Sequence, residues 1–429
     1  MIRRVIMAGG GTGGHLFPAI AVVEELRRRQ PGVEVTFVGT ARGIEARVLP
    51  ERGERLELLE VEPLKGRTTK ALLRSLRMLP SACLRASKLV TELRPDVVIG
   101  VGGYAAGPML AAAAARGVPT AILEQNAHVG LTNRMLAPLA GRAYVAFEDA
   151  AKQLGEGKAR LVGNPVRRAF VDAARAALID PDGFEARAST VLVLGGSQGA
   201  KALNEAVPAA LARLDLSARG IHVIHQTGAA MRDEVQARYA ALGVEAEVVS
   251  FLDDMARAYS NAALVIARAG ATTLAEVCAV GRAAILVPYP YAADDHQAVN
   301  AAALERDGAA IRILERDLSE ALLAGEARRL LEDRGARARM AEAARKHGRP
   351  DAAAAIVDDL VGWLGGPPRP EELARDLASD PDEGGGMRFA SIDFRARRGL
   401  ALQRMRSSAP PPPAYLELRG PTRTVDPLV

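Results

Sequence analysis

The stretch Val5-Ile6-Met7-Ala8-Gly9-Gly10-Gly11-Thr12-Gly13-Gly14-His15 decides the fold. Four apolar residues run into a glycine-rich turn, and the amphipathic segment Pro18–Arg29 follows. That order reads as a buried strand, a tight turn and a helix. The layout returns at Val191-Leu192-Val193-Leu194-Gly195-Gly196-Ser197-Gln198-Gly199-Ala200. The repeat is too widely spaced for a solenoid, so it predicts two similar domains in tandem.

Around these two anchors, short β-branched runs alternate with longer amphipathic stretches. Strands are predicted at Val33–Val38, Leu56–Val61, Asp96–Val101, Thr120–Leu123 and Ala143–Phe147, with helices at Thr69–Leu93 and Gly107–Arg116. Later strands fall at Ile221–His225, Glu247–Ser250, Ala263–Ile266 and Ala284–Val287. Strands alternating with helices mean βαβ units and parallel sheets, an α/β fold of two Rossmann-like, doubly wound domains. We expect a first domain over 1–163, a linker over 164–188 opened by the hinge-like Asn164-Pro165, and a second domain over 189–350. A closing helix for the second domain is expected over 351–365. A low-complexity, largely disordered tail is expected over 366–429, where Gly365-Gly366-Pro367-Pro368 and Pro410–Pro413 change the composition.

The chain has 429 residues, 49% hydrophobic and 25% charged, a globular composition that fits two domains. No apolar run approaches the ~18 residues of a spanning helix, and the glycines come too early for a signal-peptide apolar stretch, so the N-terminus reads better as a first strand. Cys83 and Cys278 are too few and too far apart for a disulfide framework. The net charge of +5 favours anionic partners, while 4% aromatics argue against a nucleic-acid reader.

A glycine turn between strand and helix lets backbone N–H groups face a ligand without Cβ interference. Gly9, Gly11 and Gly14 formally spell G-x-G-x-x-G, but the second strand ends Phe37-Val38-Gly39-Thr40, without the acid that holds a dinucleotide ribose. Glycines kept only for close helix–strand packing remain the alternative. A third loop, Arg268-Ala269-Gly270-Ala271-Thr272-Thr273-Leu274-Ala275-Glu276, offers a helix N-terminus and two hydroxyls, a diphosphate cradle. Glu276 either grips ribose hydroxyls or completes a capping box with Thr273. Gln297 and Asn300 share a helix face and suit sugar hydroxyls. The D-x-D strings, Asp180-Pro181-Asp182 and Asp380-Pro381-Asp382, look like solvated turns, so no metal and no cofactor is expected.

These pieces resemble the bacterial MurG-type N-acetylglucosaminyltransferases of peptidoglycan synthesis. The resemblance rests on Gly10–His15, Gly102-Gly103-Tyr104, Glu124-Gln125-Asn126, Gly130-Leu131-Thr132-Asn133, Gly163-Asn164-Pro165-Val166-Arg167, Gly195–Ala200, Phe251-Leu252-Asp253-Asp254-Met255, Arg268–Glu276 and Gln297–Asn300. It implies the glycosyltransferase-B fold and inverting transfer from UDP-N-acetylglucosamine to undecaprenyl-diphosphate-linked muramyl-pentapeptide (lipid I), giving lipid II. It implies donor contacts at Thr12, Gly13, Gly14, Asn126, Arg167, Ser197, Leu252, Ala271, Thr272, Thr273, Leu274, Ala275, Glu276 and Gln297. His296 stands where some relatives carry a second glutamine. His15, near-neutral in intrinsic pKa, is the candidate base, with a structural role as the alternative, and Glu124 is a candidate for orienting the acceptor.

A lipid-linked acceptor implies a peripheral enzyme on the cytoplasmic face of the inner membrane, with cell-wall synthesis or division proteins as further partners. The basic and apolar stretch Lys65, Arg67, Lys70, Leu72, Leu73, Arg74, Leu76, Arg77 and Leu79 has the pattern of an anionic membrane surface contact. Its alternative is an ordinary helix with its apolar face in the core.

Overall fold

Seven strands form the first sheet: β1 (Arg4–Gly9), β2 (Glu34–Gly39), β3 (Arg55–Leu58), β4 (Val97–Gly102), β5 (Thr120–Glu124), β6 (Arg142–Val145) and β7 (Ala159–Leu161). Their spatial order is β3-β2-β1-β4-β5-β6-β7, and each pairing is parallel. A second sheet holds β8 (Thr190–Leu194), β9 (His222–Gln226), β10 (Ala246–Val249), β11 (Ala262–Ala267), β12 (Ala284–Leu286) and β13 (Ile311–Arg312). Its order is β10-β9-β8-β11-β12-β13, again parallel. Both sheets reverse direction beside their first strand, between β1 and β4 and between β8 and β11. Those are the switch points where doubly wound sheets take ligands at the strands' carboxyl ends. This computed structural model describes residues 2–61, 69–155, 157–196, 198–292 and 295–365, leaving aside the side chains of 69–77.

The strands are buried on both faces, as parallel sheets require, so they read as apolar runs such as Val97–Val101 and Val191–Leu194. Helices cover the first sheet: α1 (Gly13–Arg29), α2 (Glu45–Glu51), α3 (Thr69–Leu93), α4 (Ala106–Ala115), α5 (Leu131–Leu136) and α6 (Glu148–Leu154). The next pair is α7 (Arg168–Ile179) and α8 (Pro181–Ala186). Then come α9 (Lys201–Leu211), α10 (Arg232–Ala241), α11 (Met255–Ser260), α12 (Ala271–Val280) and α13 (His296–Arg306). The last three are α14 (Glu320–Glu332), α15 (Arg334–His347) and α16 (Ala352–Leu364).

Two expectations about organisation need correction. Residues 164–188 are not a bare linker: they form α7 and α8, and Phe170, Val171, Ala177 and Phe184 enter the core of the second lobe. The apolar stripe at 170, 171, 174 and 177 carries this, being spaced for one helix face. The helix over 352–364 exists, but it completes the first lobe instead of the second. Its Ile356, Val357 and Leu360 join the core beneath α1, and Tyr144 donates to Asp359 Oδ2 at 2.8 Å. Arg142 donates to the same carboxylate at 3.1 Å and stacks over the Trp363 ring.

The predicted helix over 69–93 is present as α3. Its later half turns Ala82, Ala86, Leu89 and Val90 into the core, while Leu79 and Leu84 face outward, Leu84 at 73% exposure. Both readings of this segment thus have residues to support them. Lys65 and Arg67, the side chains of Lys70, Leu72, Leu73, Arg74, Leu76 and Arg77, and the tail from 366 lie outside the described residues. Among the described residues, no helix is long and apolar enough to cross a membrane.

Candidate active site

The carboxyl edges of the two sheets meet. Gly9, Gly10 and Gly11 all have positive φ, a region L side chains rarely adopt. A Cβ on Gly9 would stand 2.0 Å from the Gly102 carbonyl oxygen, and one on Gly103 would stand 2.6 Å from that of Gly10. The turns after β1 and β4 therefore pack backbone on backbone at the switch point. Across from them, α12 begins directly after β11, and Thr272 Oγ1 donates to the Gly14 carbonyl at 3.2 Å. Arg47 of α2 also lies over the Phe251 ring, 5.0 Å from its centre.

His15 sits in the first turn of α1 with its ring against Gly102, where a Cβ would come within 2.7 Å of it. Its Nδ1 is 3.3 Å from the Gly10 carbonyl oxygen. Thr12 Oγ1 is 3.4 Å from the same nitrogen; a carbonyl can only accept and a hydroxyl can accept too, so a proton on Nδ1 serves both contacts and leaves Nε2 as a lone-pair base. Burial lowers the His15 pKa below its ordinary value. The carboxylates of Glu124 and Glu45 and the Gly10 contact pull it back up, and His296 from the opposite lobe pushes it down. The imidazole is therefore neutral at neutral pH, the form a base requires.

Glu124 ends β5 and is 2% exposed. Oε1 accepts from the Asn126 backbone N–H at 3.0 Å and from Asn126 Nδ2 at 3.3 Å. Oε2 accepts from Gly130 N–H at 3.0 Å and Asn133 Nδ2 at 2.9 Å. One carboxylate thus organises the whole 126–133 turn while its charge faces His15.

On the second lobe, Gly270 precedes α12 without a side-chain cap, and the helix starts at Ala271. Thr273 and Glu276 both lie inside it, so the capping box is not formed. Glu276 is instead buried against Arg167, whose guanidinium reaches Oε1 at 3.4 Å. Burial pushes the Glu276 pKa up to about 7, although Arg167 opposes the rise. Arg167 is sandwiched between Phe17 of α1 and Phe170 of α7, at 4.7 and 5.2 Å from the ring centres. Its Nε has no hydrogen-bond partner among the described residues.

Gln297 Oε1 accepts from the Tyr289 backbone N–H at 3.0 Å. One turn on, Asn300 is 1% exposed, with neither amide atom hydrogen-bonded among the described residues. Leu252 is half-buried after β10, packed on the second core. Ser197 lies outside the described residues. Its neighbours Gly196 and Gly199 have positive φ, and a Cβ on Gly199 would strike the Thr227 carbonyl at 2.0 Å. Of the D-x-D strings, Asp180 caps α8 by accepting from Gly183 N–H, and the second lies outside the described residues.

Two residues have roles that the sequence did not show: Glu45, which was not named, and Arg268, which was named only as the start of the third loop. Arg268 braces the 287–290 turn, donating to the Val287 and Pro288 carbonyls, stacking on Tyr289 and pairing with Glu315 at 2.5 Å. Glu45 is buried beneath the first glycine loop. Glu45 carries no sequence signal and the bracing role of Arg268 carries none, because both act through contacts with distant loops.

Comparison with known proteins places this geometry. Residues 5–145 match the glycosyltransferase family 28 N-terminal domain, and 190–356 match the family 28 C-terminal domain. A Sorangium cellulosum protein named UDP-N-acetylglucosamine–N-acetylmuramyl-(pentapeptide) pyrophosphoryl-undecaprenol N-acetylglucosamine transferase is 47% identical, over 93% of this chain and 94% of its own. The same-named Myxococcus xanthus protein is 45% identical over 85% and 94%. The crystal structure of Acinetobacter baumannii MurG superposes with a TM-score of 0.66 at 34% identity, covering 83% of this chain and 98% of that one. The chain belongs to the MurG family. It is a glycosyltransferase with the family's two-lobed α/β fold. A UDP-N-acetylglucosamine 2-epimerase from Neisseria meningitidis has a TM-score of 0.58 at 13% identity, over 84% of this chain and all of that one, a likeness of fold alone. In this MurG-family chain, two of the family's motifs, Gly10–His15 and Arg268–Glu276, follow β1 and β11 and touch through Thr272 and Gly14.

Proposed function

We propose that the chain transfers N-acetylglucosamine from UDP-N-acetylglucosamine to lipid I, forming lipid II by a single in-line displacement. The observation that carries this reading is the meeting of the two edges at Thr272 and Gly14, with His15 on one wall and Glu276 on the other. Such a crevice suits a donor held by one lobe and an acceptor presented by the other.

In this mechanism, His15 Nε2 takes the proton of the acceptor 4-hydroxyl as that oxygen bonds to the anomeric carbon. The anomeric C–O bond to UDP breaks on the opposite face, and its electron pair leaves on the diphosphate. One displacement inverts the configuration, giving a β link. The growing negative charge meets the free N–H groups of the first turn of α12, the hydroxyls of Thr272 and Thr273, Ser197 and Arg167. Glu276 accepts from the ribose hydroxyls. Ala271, Leu274, Ala275 and Leu252 shape the nucleoside pocket, and Gln297, Asn126 and the Thr12–Gly14 turn reach the sugar. Glu124 keeps Asn126 in place and steadies the imidazolium as it forms. The enzyme binds the cytoplasmic face of the inner membrane through the basic, apolar start of α3 and the segment before it.

The deciding experiment incubates the protein with UDP-N-acetylglucosamine alone and then with a lipid I analogue. UDP release that depends on the acceptor, with a β-linked disaccharide as product, is the expected result. Epimerisation of the UDP-sugar without acceptor refutes the reading.

A further inference from the structure

Glu45 opens α2, is 1% exposed, and sits where the second strand's turn meets the first glycine loop. Its carboxylate takes three donors. Oε2 accepts from the Gly11 backbone N–H at 2.7 Å, and Oε1 accepts from Thr40 N–H at 2.9 Å and Thr40 Oγ1 at 3.0 Å. Three glycines wrap the same group. A Cβ on Gly10, Gly39 or Gly43 would lie 2.6, 2.5 or 2.1 Å from the Glu45 side chain. The space at the end of β2 that holds a ribose in dinucleotide enzymes is thus filled by the protein's own acid. The Gly11 N–H is also spent internally, which leaves ligand contacts to Thr12, Gly13 and Gly14.

We propose that Glu45 is a positioning residue for catalysis, locking the Gly10–Gly11 turn so that the Gly10 carbonyl holds His15 in its reactive orientation. The linkage is short: the carboxylate fixes Gly11, Gly10 N–H donates to the Gly102 carbonyl at 3.1 Å, and the Gly10 carbonyl accepts from His15 Nδ1. A loop of consecutive glycines is otherwise the least constrained part of the wall, and small displacements of a base are costly in rate. This inference rests on the reading of His15 as the base.

The test compares Glu45→Gln, Glu45→Asp and His15→Ala in the full chain, measuring kcat, UDP binding and the pH profile of kcat/KM for the acceptor at saturating UDP-N-acetylglucosamine. Glutamine keeps the shape but must turn its NH2 group toward one of the donors, so one buried backbone N–H loses its acceptor. The expected result is a fall in kcat of about tenfold to a hundredfold, with the UDP Kd within about threefold of wild type. The groups facing His15 are Glu124, His296 and Glu45. Removing one negative charge lowers the His15 pKa, so the acid limb moves to lower pH in Glu45→Gln. Glu45→Asp keeps the charge but cannot reach both Thr40 and Gly11, so its kcat falls while the limb stays. Wild-type kcat and limb in Glu45→Gln overturn the proposal, as does a parallel loss of UDP binding and kcat with an unmoved limb. Wild-type kcat in His15→Ala overturns it differently, by removing the base that Glu45 is said to position.

Discussion

UDP binding should depend on pH through Glu276, and the size of the effect follows from its surroundings. Its carboxyl is raised from 4.5 to about 7 because burial outweighs the opposing pull of Arg167 and of Tyr259. A raised carboxyl pKa means that the folded chain holds a proton that the unfolded chain has released. Stability from this group is therefore full below about pH 4.5 and declines as pH rises through about 7, by about 3 kcal/mol once the group is ionised. In the proposed binding mode two ribose hydroxyls donate to the ionised carboxylate and reverse that strain, so UDP should prefer the ionised form. At pH 8 most of the population is ionised, and at pH 6 only about a tenth is, so UDP affinity should fall about tenfold between them, ~1.4 kcal/mol. Titration calorimetry at pH 6, 7 and 8, in buffers of different ionisation enthalpy, reads both the affinity and the protons released. UDP's own terminal phosphate titrates nearby, so the decisive quantity is the difference between wild type and Glu276→Gln. A flat wild-type profile, or an equal slope in both proteins, refutes the reasoning.

Three further outcomes are expected. His15→Ala should lower kcat by about a hundredfold or more with little change in UDP Kd, and wild-type kcat/KM for the acceptor, measured at saturating UDP-N-acetylglucosamine so that Glu276 does not contribute, should fall only below the ordinary histidine pKa, because burial holds the ring neutral. Arg282→Met should cost about 3–5 kcal/mol in a urea melt, because the 2%-exposed guanidinium serves the carbonyls of Phe184, Tyr259 and Ser260 and pairs with Glu185. Sedimentation with anionic vesicles should carry the protein down more than neutral vesicles do, and Lys70→Glu combined with Arg74→Glu should remove the difference; equal sedimentation of wild type with both removes the membrane reading.

The fold was largely legible because parallel strands buried on both faces are continuous apolar runs, and glycine turns mark where they end. Both strand orders follow from two copies of that pattern. The exceptions have two causes. β7 and β13 are edge strands of three and two residues, too short to show a run. The ownership of α7 and α16 was hidden because an apolar helix face states that something covers it, not which lobe does. Of the candidate site residues, Thr272 and Glu276 stand on the edge that faces the first lobe, where the glycine-rich third loop had placed them. The sequence was silent where a side chain serves another loop, as Glu45 serves Gly11 across thirty-four positions.

The return of α16 has a consequence for engineering. The polypeptide passes between the lobes twice, near Gly163 and near Arg349, and the passages touch: a Cβ on Gly163 would lie 2.4 Å from that of Arg349. A donor-specificity transplant that splices two parents at a single junction would therefore import a foreign helix beneath α1. A working cassette has to be excised at both passages, from about 164 to 350, keeping the recipient's own Ile356, Leu360 and Trp363 in place.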